Sequence, residues 1–129
     1  MRRGYDILVV GAGPAGSMAA KRAAEEGAQV LLIENHSQIG IPTLCGEGIS
    51  TQGLTQFFNP SPTWVASEVV GAIFNSPSGR RFKVHHPEAG FILERKLFDR
   101  DLAHLASEAG AEVRVGAQAV GLVRDGNRM

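Results

Sequence analysis

Tyr5-Asp6-Ile7-Leu8-Val9-Val10-Gly11-Ala12-Gly13-Pro14-Ala15-Gly16 opens the most legible stretch of this chain, and Gln29-Val30-Leu31-Leu32-Ile33-Glu34 closes it. Residues 5–10 form a short, almost continuous apolar run rich in branched side chains, the pattern of a parallel strand buried on both faces. Three glycines then turn the chain. Residues 17–26 are dense in Ala, Lys, Arg and Glu, all strong helix formers, and Gly27 terminates that helix. Strand, glycine turn, helix and second strand predict a right-handed βαβ unit over residues 5–34.

Each glycine of Gly11-x-Gly13-x-x-Gly16 has a physical reason in a dinucleotide site. Gly11 permits the tight turn, Gly13 lets backbone approach a pyrophosphate, and Gly16 lets the helix pack closely on the strand. The helix N-terminus meets the pyrophosphate with unbonded N–H groups and a favourable dipole. Glu34 ends the second strand, 23 residues after Gly11. That is the place of an acid that accepts hydrogen bonds from ribose hydroxyls, and its charge repels a 2′-phosphate, so NADP is disfavoured. The glycines and the acid together do not separate FAD from NAD.

Outward from this unit, composition narrows the function classes. The chain has 129 residues, with thirteen Lys and Arg against thirteen Asp and Glu. A net charge of zero supplies no field to recruit nucleic acid. Hydrophobic content of 43% and charged content of 20% fit one water-soluble domain. The lone Cys45 excludes an internal disulfide and suits a reducing compartment. The longest wholly apolar runs, Ile7–Val10 and Val30–Ile33, are four residues each, far below the ~20 residues that span a bilayer. The expected location is cytoplasmic, with room for a peripheral membrane contact. Adjacent His85 and His86 face opposite ways on a strand, and Cys45 has no companions at ligand spacing, so no metal site is expected.

Residues 35–67 read as irregular, with a short helix at 51–58 and an aromatic cluster of Phe57, Phe58 and Trp64. Runs at 69–74 and 81–84 flank Asn75-Ser76-Pro77-Ser78-Gly79 and predict a β-hairpin. A His-His-Pro-Glu-Ala-Gly loop then leads to a strand at 91–94. Residues 95–108 predict an amphipathic helix with Phe98, Leu102 and Leu105 on one face. Strands at 112–115 and 119–123 follow, the second running into an Asp125-Gly126 turn. A hairpin that stops at Met129 after one arm is expected of a piece of a longer protein.

Two further segments carry a resemblance. Ile41-Pro42-Thr43-Leu44-Cys45-Gly46-Glu47-Gly48-Ile49-Ser50 is similar to the segment that follows the second strand in the geranylgeranyl reductase family of flavoproteins. Phe91-Ile92-Leu93-Glu94-Arg95-Lys96-Leu97-Phe98-Asp99 resembles that family's next hallmark, an Arg followed by Phe-Asp. Within the family, the digeranylgeranylglycerophospholipid reductases are the nearest likeness. The resemblance implies an α/β, FAD-type Rossmann domain with a β-hairpin insertion, truncated. Residues 1–129 would be the N-terminal part of the FAD-binding domain: the βαβ unit at 5–34, the insertion at about 68–94, and a helix and returning strands at 95–124. The substrate-binding remainder and the strand expected beside residues 5–10 would lie elsewhere, leaving an apolar sheet edge.

For function, the resemblance implies FAD-dependent reduction of isolated C=C bonds in geranylgeranyl chains of isoprenoid membrane lipids. The partners would be that lipid and an electron donor, either reduced nicotinamide or a ferredoxin-like protein. Residue by residue it implies FAD contacts at Ala15, Glu34, Cys45, Gly46, Gly48, Arg95 and Ala119, besides Gly11, Gly13 and Gly16. Arg95 at a helix start opposes the helix dipole, a cost that a bidentate bond to a phosphate or ribose would explain. Gly46 and Gly48 fit backbone lying against a flat ring. Cys45 is the one candidate for a catalytic proton donor, with packing against the flavin as the other reading. A flavin-dependent aromatic hydroxylase or halogenase shares the Gly11–Glu34 features, and a non-enzymatic dinucleotide-binding module stays open beside them.

Overall fold

The computed structural model describes residues 4–124 and Gly126. In chain order the elements are β1 (Ile7–Val10), α1 (Pro14–Glu25), β2 (Val30–Ile33), β3 (Gly48–Ser50), α2 (Thr51–Thr55), β4 (Val65–Asn75), β5 (Arg81–Leu93), α3 (Arg95–Glu108) and β6 (Glu112–Arg114). They fall into two compact units, residues 1–43 with 99–129, and Leu44–Phe98.

The first unit is a parallel sheet in the order β1-β2-β6, with Ile7 opposite Val30 and Leu32 opposite Val113. Its core is built largely from small side chains: Ala12, Ala20, Ala106 and Ala111 pack with Val30 and Leu32. Alanines let helix backbone approach sheet backbone. Pro14 starts α1 with its φ already helical and no N–H to leave unbonded. The ladder continues beyond β6: Glu34 N–H donates to Arg114 O at 2.8 Å, Ala117 N–H to Glu34 O at 2.9 Å, and Gly116 N–H to His36 O at 2.8 Å. Across the sheet, the Tyr5 hydroxyl donates to Glu112, whose other carboxylate oxygen accepts from Arg114. That acceptor raises the tyrosine pKa.

Two expectations for this unit are corrected. β1 is not buried on both faces: Leu8 is 49% and Val10 61% exposed, because β2 is its single partner among the described residues. Residues 119–123 form no strand, and Val120, Leu122 and Val123 are exposed. An extended segment without a ladder to join has nothing to hold it as a strand. Asp125 of the expected turn lies outside the described residues.

The second unit is an antiparallel sheet in the order β3-β5-β4. The hairpin is present but longer than expected. β5 runs unbroken from Arg81 to Leu93, so residues 85–90 are strand rather than loop. Pairing moves from His85 opposite Gly71 to Gly90 opposite Val69, so Val70 alone faces residues 86–89. Pro87 sits inside that bulge, where a missing N–H breaks no ladder bond. α2 is capped by the Ser50 hydroxyl, which accepts from Gly53 N–H at 3.0 Å, and it ends at Thr55 rather than at 58. Trp64 and Phe58 both pack edge-on against Phe98, with ring centroids 4.9 and 5.7 Å away. Leu54 and Leu93 are buried with them, whereas Phe57 is exposed. The aromatic cluster is therefore core, apart from Phe57.

Candidate dinucleotide site

The turn between β1 and α1 has the form the glycine spacing requires. Gly11 sits at φ 97°, a conformation that costs a side-chain-bearing residue ~1–2 kcal/mol. A Cβ on Gly16 would stand 1.9 Å from Gly11 O, so this helix turn lies against the loop as only glycine allows. A Cβ on Gly13 would meet nothing within 4 Å, which leaves open space above the loop. Gly13 caps α1 without a side-chain hydrogen bond. The first intrahelical bond is made by Ser17 N–H to Gly13 O at 2.9 Å, so the N–H groups of Ala15 and Gly16 precede the ladder. Ser17 is fully buried, and its hydroxyl donates to Ala12 O at 3.2 Å. An uncapped helix end beneath open space is a cradle for a pyrophosphate.

Glu34 stands beside this cradle. One carboxylate oxygen, Oε2, accepts from Ala12 N–H at 3.0 Å. The other, Oε1, accepts from His36 N–H at 3.0 Å and lies 2.6 Å from His36 Nδ1. Burial raises its pKa, but the hydrogen bonds from His36 and Ala12 outweigh that and hold it below the usual glutamate value. The acid is therefore ionised at neutral pH and can accept a ribose hydroxyl. Ala119 is exposed in this same unit, two residues beyond Ala117, whose N–H bonds Glu34 O. Gly11, Gly13, Ala15, Gly16 and Glu34 thus meet around one loop. The donors and the acceptor present there fit the adenosine and pyrophosphate of a dinucleotide.

The other candidates belong to the second unit. Cys45 is exposed, and its sulfur accepts from Glu47 N–H at 3.4 Å. The conformation that favours glycine falls on Glu47, at φ 60°, and not on Gly46 or Gly48. Gly48 belongs to β3, opposite Ile92, while Gly46 has open space where a Cβ would be. Glu47 O accepts from Leu93 N–H at 2.9 Å, and Glu47 Oε1 accepts from Arg95 N–H at 3.4 Å. A carboxylate thus serves the N-terminus of α3, where it offsets the cost of Arg95 at that position. Glu47 and His36 were not singled out from the sequence. The available signals were an acid between two glycines, and a histidine two residues after a strand-end acid.

The family model of the FAD dependent oxidoreductases matches residues 6–129. The chain belongs to that family. Its cofactor, shared across the family, is FAD. The chain is 49% identical to a digeranylgeranylglycerophospholipid reductase of Methanocella arvoryzae, over 95% of its own length and 32% of the relative's. A protein of the same name from Methanothrix thermoacetophila is 48% identical over 92% of this chain and 32% of its own. Among solved structures, a geranylgeranyl bacteriochlorophyll reductase-like protein of Thermoplasma acidophilum superposes with a TM-score of 0.83 at 40% identity, covering 95% of this chain and 32% of that one. A myxobacterial chondrochloren halogenase shares the fold at a TM-score of 0.67 and 20% identity, with 95% and 31% covered. The chain spans about a third of the length of the curated relatives it matches.

Proposed function

We propose that this chain is the FAD-binding front part of an enzyme that reduces isolated C=C bonds in the geranylgeranyl chains of isoprenoid membrane lipids. The observation that carries the reading is the 49% identity, along nearly the whole chain, to a reductase of that name. The Gly11–Glu34 cradle supplies its physical side.

Bound FAD supplies the hydride-transfer chemistry. The chain's own residues bind and orient it. The N–H groups of Ala15 and Gly16 meet the pyrophosphate, and Glu34 accepts from the adenosine ribose. The turn at Gly46 and Gly48 offers backbone to the isoalloxazine side. Arg95 gives a bidentate bond to a phosphate or ribose, and Ala119 lends backbone on the adenine side. Cys45 is a wall of the flavin site, or its thiol holds a proton for the substrate carbon. The remaining partners are the isoprenoid lipid and an electron donor, reduced nicotinamide or a ferredoxin-like protein. A peripheral contact with the membrane would bring the enzyme to its substrate; among the described residues no helix is long and apolar enough to cross one.

The test is made on the longer protein. Its visible spectrum and the chromatography of the released cofactor should show FAD. Incubation with a digeranylgeranyl glycerolipid and reductant should add two hydrogens per double bond by mass spectrometry. A colourless protein that binds NAD tightly, or a flavoprotein that leaves the lipid unchanged, would overturn the proposal.

A further inference from the structure

We propose that His36 is a positioning residue for the adenosine ribose of the cofactor, acting through Glu34. The inference rests on the assignment of that ribose to Glu34 and goes one residue further.

His36 places two groups against one oxygen of Glu34. Its backbone N–H donates to Oε1 at 3.0 Å, and its ring Nδ1 lies 2.6 Å from the same atom. An ionised carboxylate only accepts, so Nδ1 carries the hydrogen in this pair. The opposite oxygen is held by Ala12 N–H at 3.0 Å. A carboxylate has about four acceptor sites, and three are filled within the protein. The ring therefore decides which direction is left for a ribose hydroxyl. Its backbone has no freedom to choose otherwise, because His36 O accepts from Gly116 N–H at 2.8 Å.

Exposure separates the two side chains by role. Glu34 is 13% exposed and His36 is 50% exposed. The carboxylate is the recessed acceptor, and the imidazole is the outer bracket that sets its rotation. A surface imidazole held only for stability would gain little from so exposed a pair. Its value lies in orientation, which is realised only when a diol arrives to be bound.

The experiment compares ADP with 2′,3′-dideoxy-ADP, which lacks both ribose hydroxyls, by titration calorimetry on the purified protein. FAD affinity is followed in parallel by flavin fluorescence. His36→Ala should weaken ADP and FAD roughly tenfold, the scale of one hydrogen bond to a charged group. His36→Gln, which returns a side-chain donor, should restore affinity to within about twofold of the original. The His36→Ala penalty should vanish for the dideoxy ligand and in a Glu34→Gln background. An equal penalty for ADP and dideoxy-ADP would overturn the proposal, since the ring would then act on something other than the ribose. Wild-type ADP affinity in His36→Ala, beside a loss in Glu34→Ala, would overturn it while leaving the Glu34 assignment intact. Unchanged ADP affinity in Glu34→Ala would remove that assignment and the proposal together.

Discussion

Glu34 accepts from two backbone N–H groups and an imidazole before any ligand arrives, so its substitution has two separable effects. Glu34→Ala should weaken FAD binding roughly ten- to hundredfold, matching ~1.5–3 kcal/mol for hydrogen bonds to a charged acceptor. Released-flavin titration checks this. The second effect is on stability. Because the folded protein holds this carboxyl below the ordinary value, its ionised form favours the folded state. That contribution is fully present above the unfolded pKa of about 4.3 and is lost as pH falls through the lower folded value. The unfolding free energy of wild type relative to Glu34→Gln should therefore be constant near neutrality and shrink in acid; a difference that grows with acidity would contradict the assignment. Cys45 poses a different question, since an exposed thiol is a wall or a reagent. A thiol packs as a small apolar group and we expect the wall: Cys45→Ala keeps both its FAD and most of its lipid turnover. A fall of about 10²–10⁴-fold with FAD and its reducibility intact would instead mark the proton donor.

At the scale of elements, the glycine turn is the least tolerant joint. Gly16→Ala forces α1 away from the loop, because the new methyl meets a backbone oxygen rather than a flexible side chain. We expect ~1–3 kcal/mol of lost stability, the range for overpacking, and weakened FAD binding, read by thermal melts and titration. Gly13→Val should bind FAD poorly while losing less stability than Gly16→Ala, since a Cβ at Gly13 meets nothing within 4 Å and the side chain would stand where the pyrophosphate is proposed to approach. These positions were legible beforehand because turn, helix and strand depend on local spacing. The same holds for α3, whose apolar residues recur at helical intervals. What was not legible depends on pairing. β3 is three residues, Gly-Ile-Ser, with Ile49 its one strand-favouring side chain, and it is held by pairing with β5. The bulge at residues 86–89 is equally a property of two strands, since Pro87 argues for a loop until Val70 is seen to stand alone opposite it. Glu47 is illegible for a related reason: the group its carboxylate serves, Arg95 N–H, lies 48 residues away in the chain.

At the scale of the whole molecule, the parallel sheet ends in a strand with apolar side chains in the open. Ile7, Leu8 and Val10 are exposed along β1, whose outer edge has no partner among the described residues. Such an edge pairs with copies of itself. The 129-residue chain should self-associate at micromolar concentration, and Leu8→Lys should shift it toward monomer in light scattering. Monodisperse wild-type monomer would refute this. The interrupted course of the first unit has one more consequence, which lies in time. Leu44–Phe98 is made between β2 and β6. About eighty residues must therefore follow Ile33 out of the ribosome before β6 emerges, on the order of 4–16 s at ordinary elongation rates. Throughout that interval β2 has β1 beside it and nothing on its other flank. The nascent chain thus carries a half-built sheet for seconds, and slower decoding anywhere in the insert lengthens that exposure.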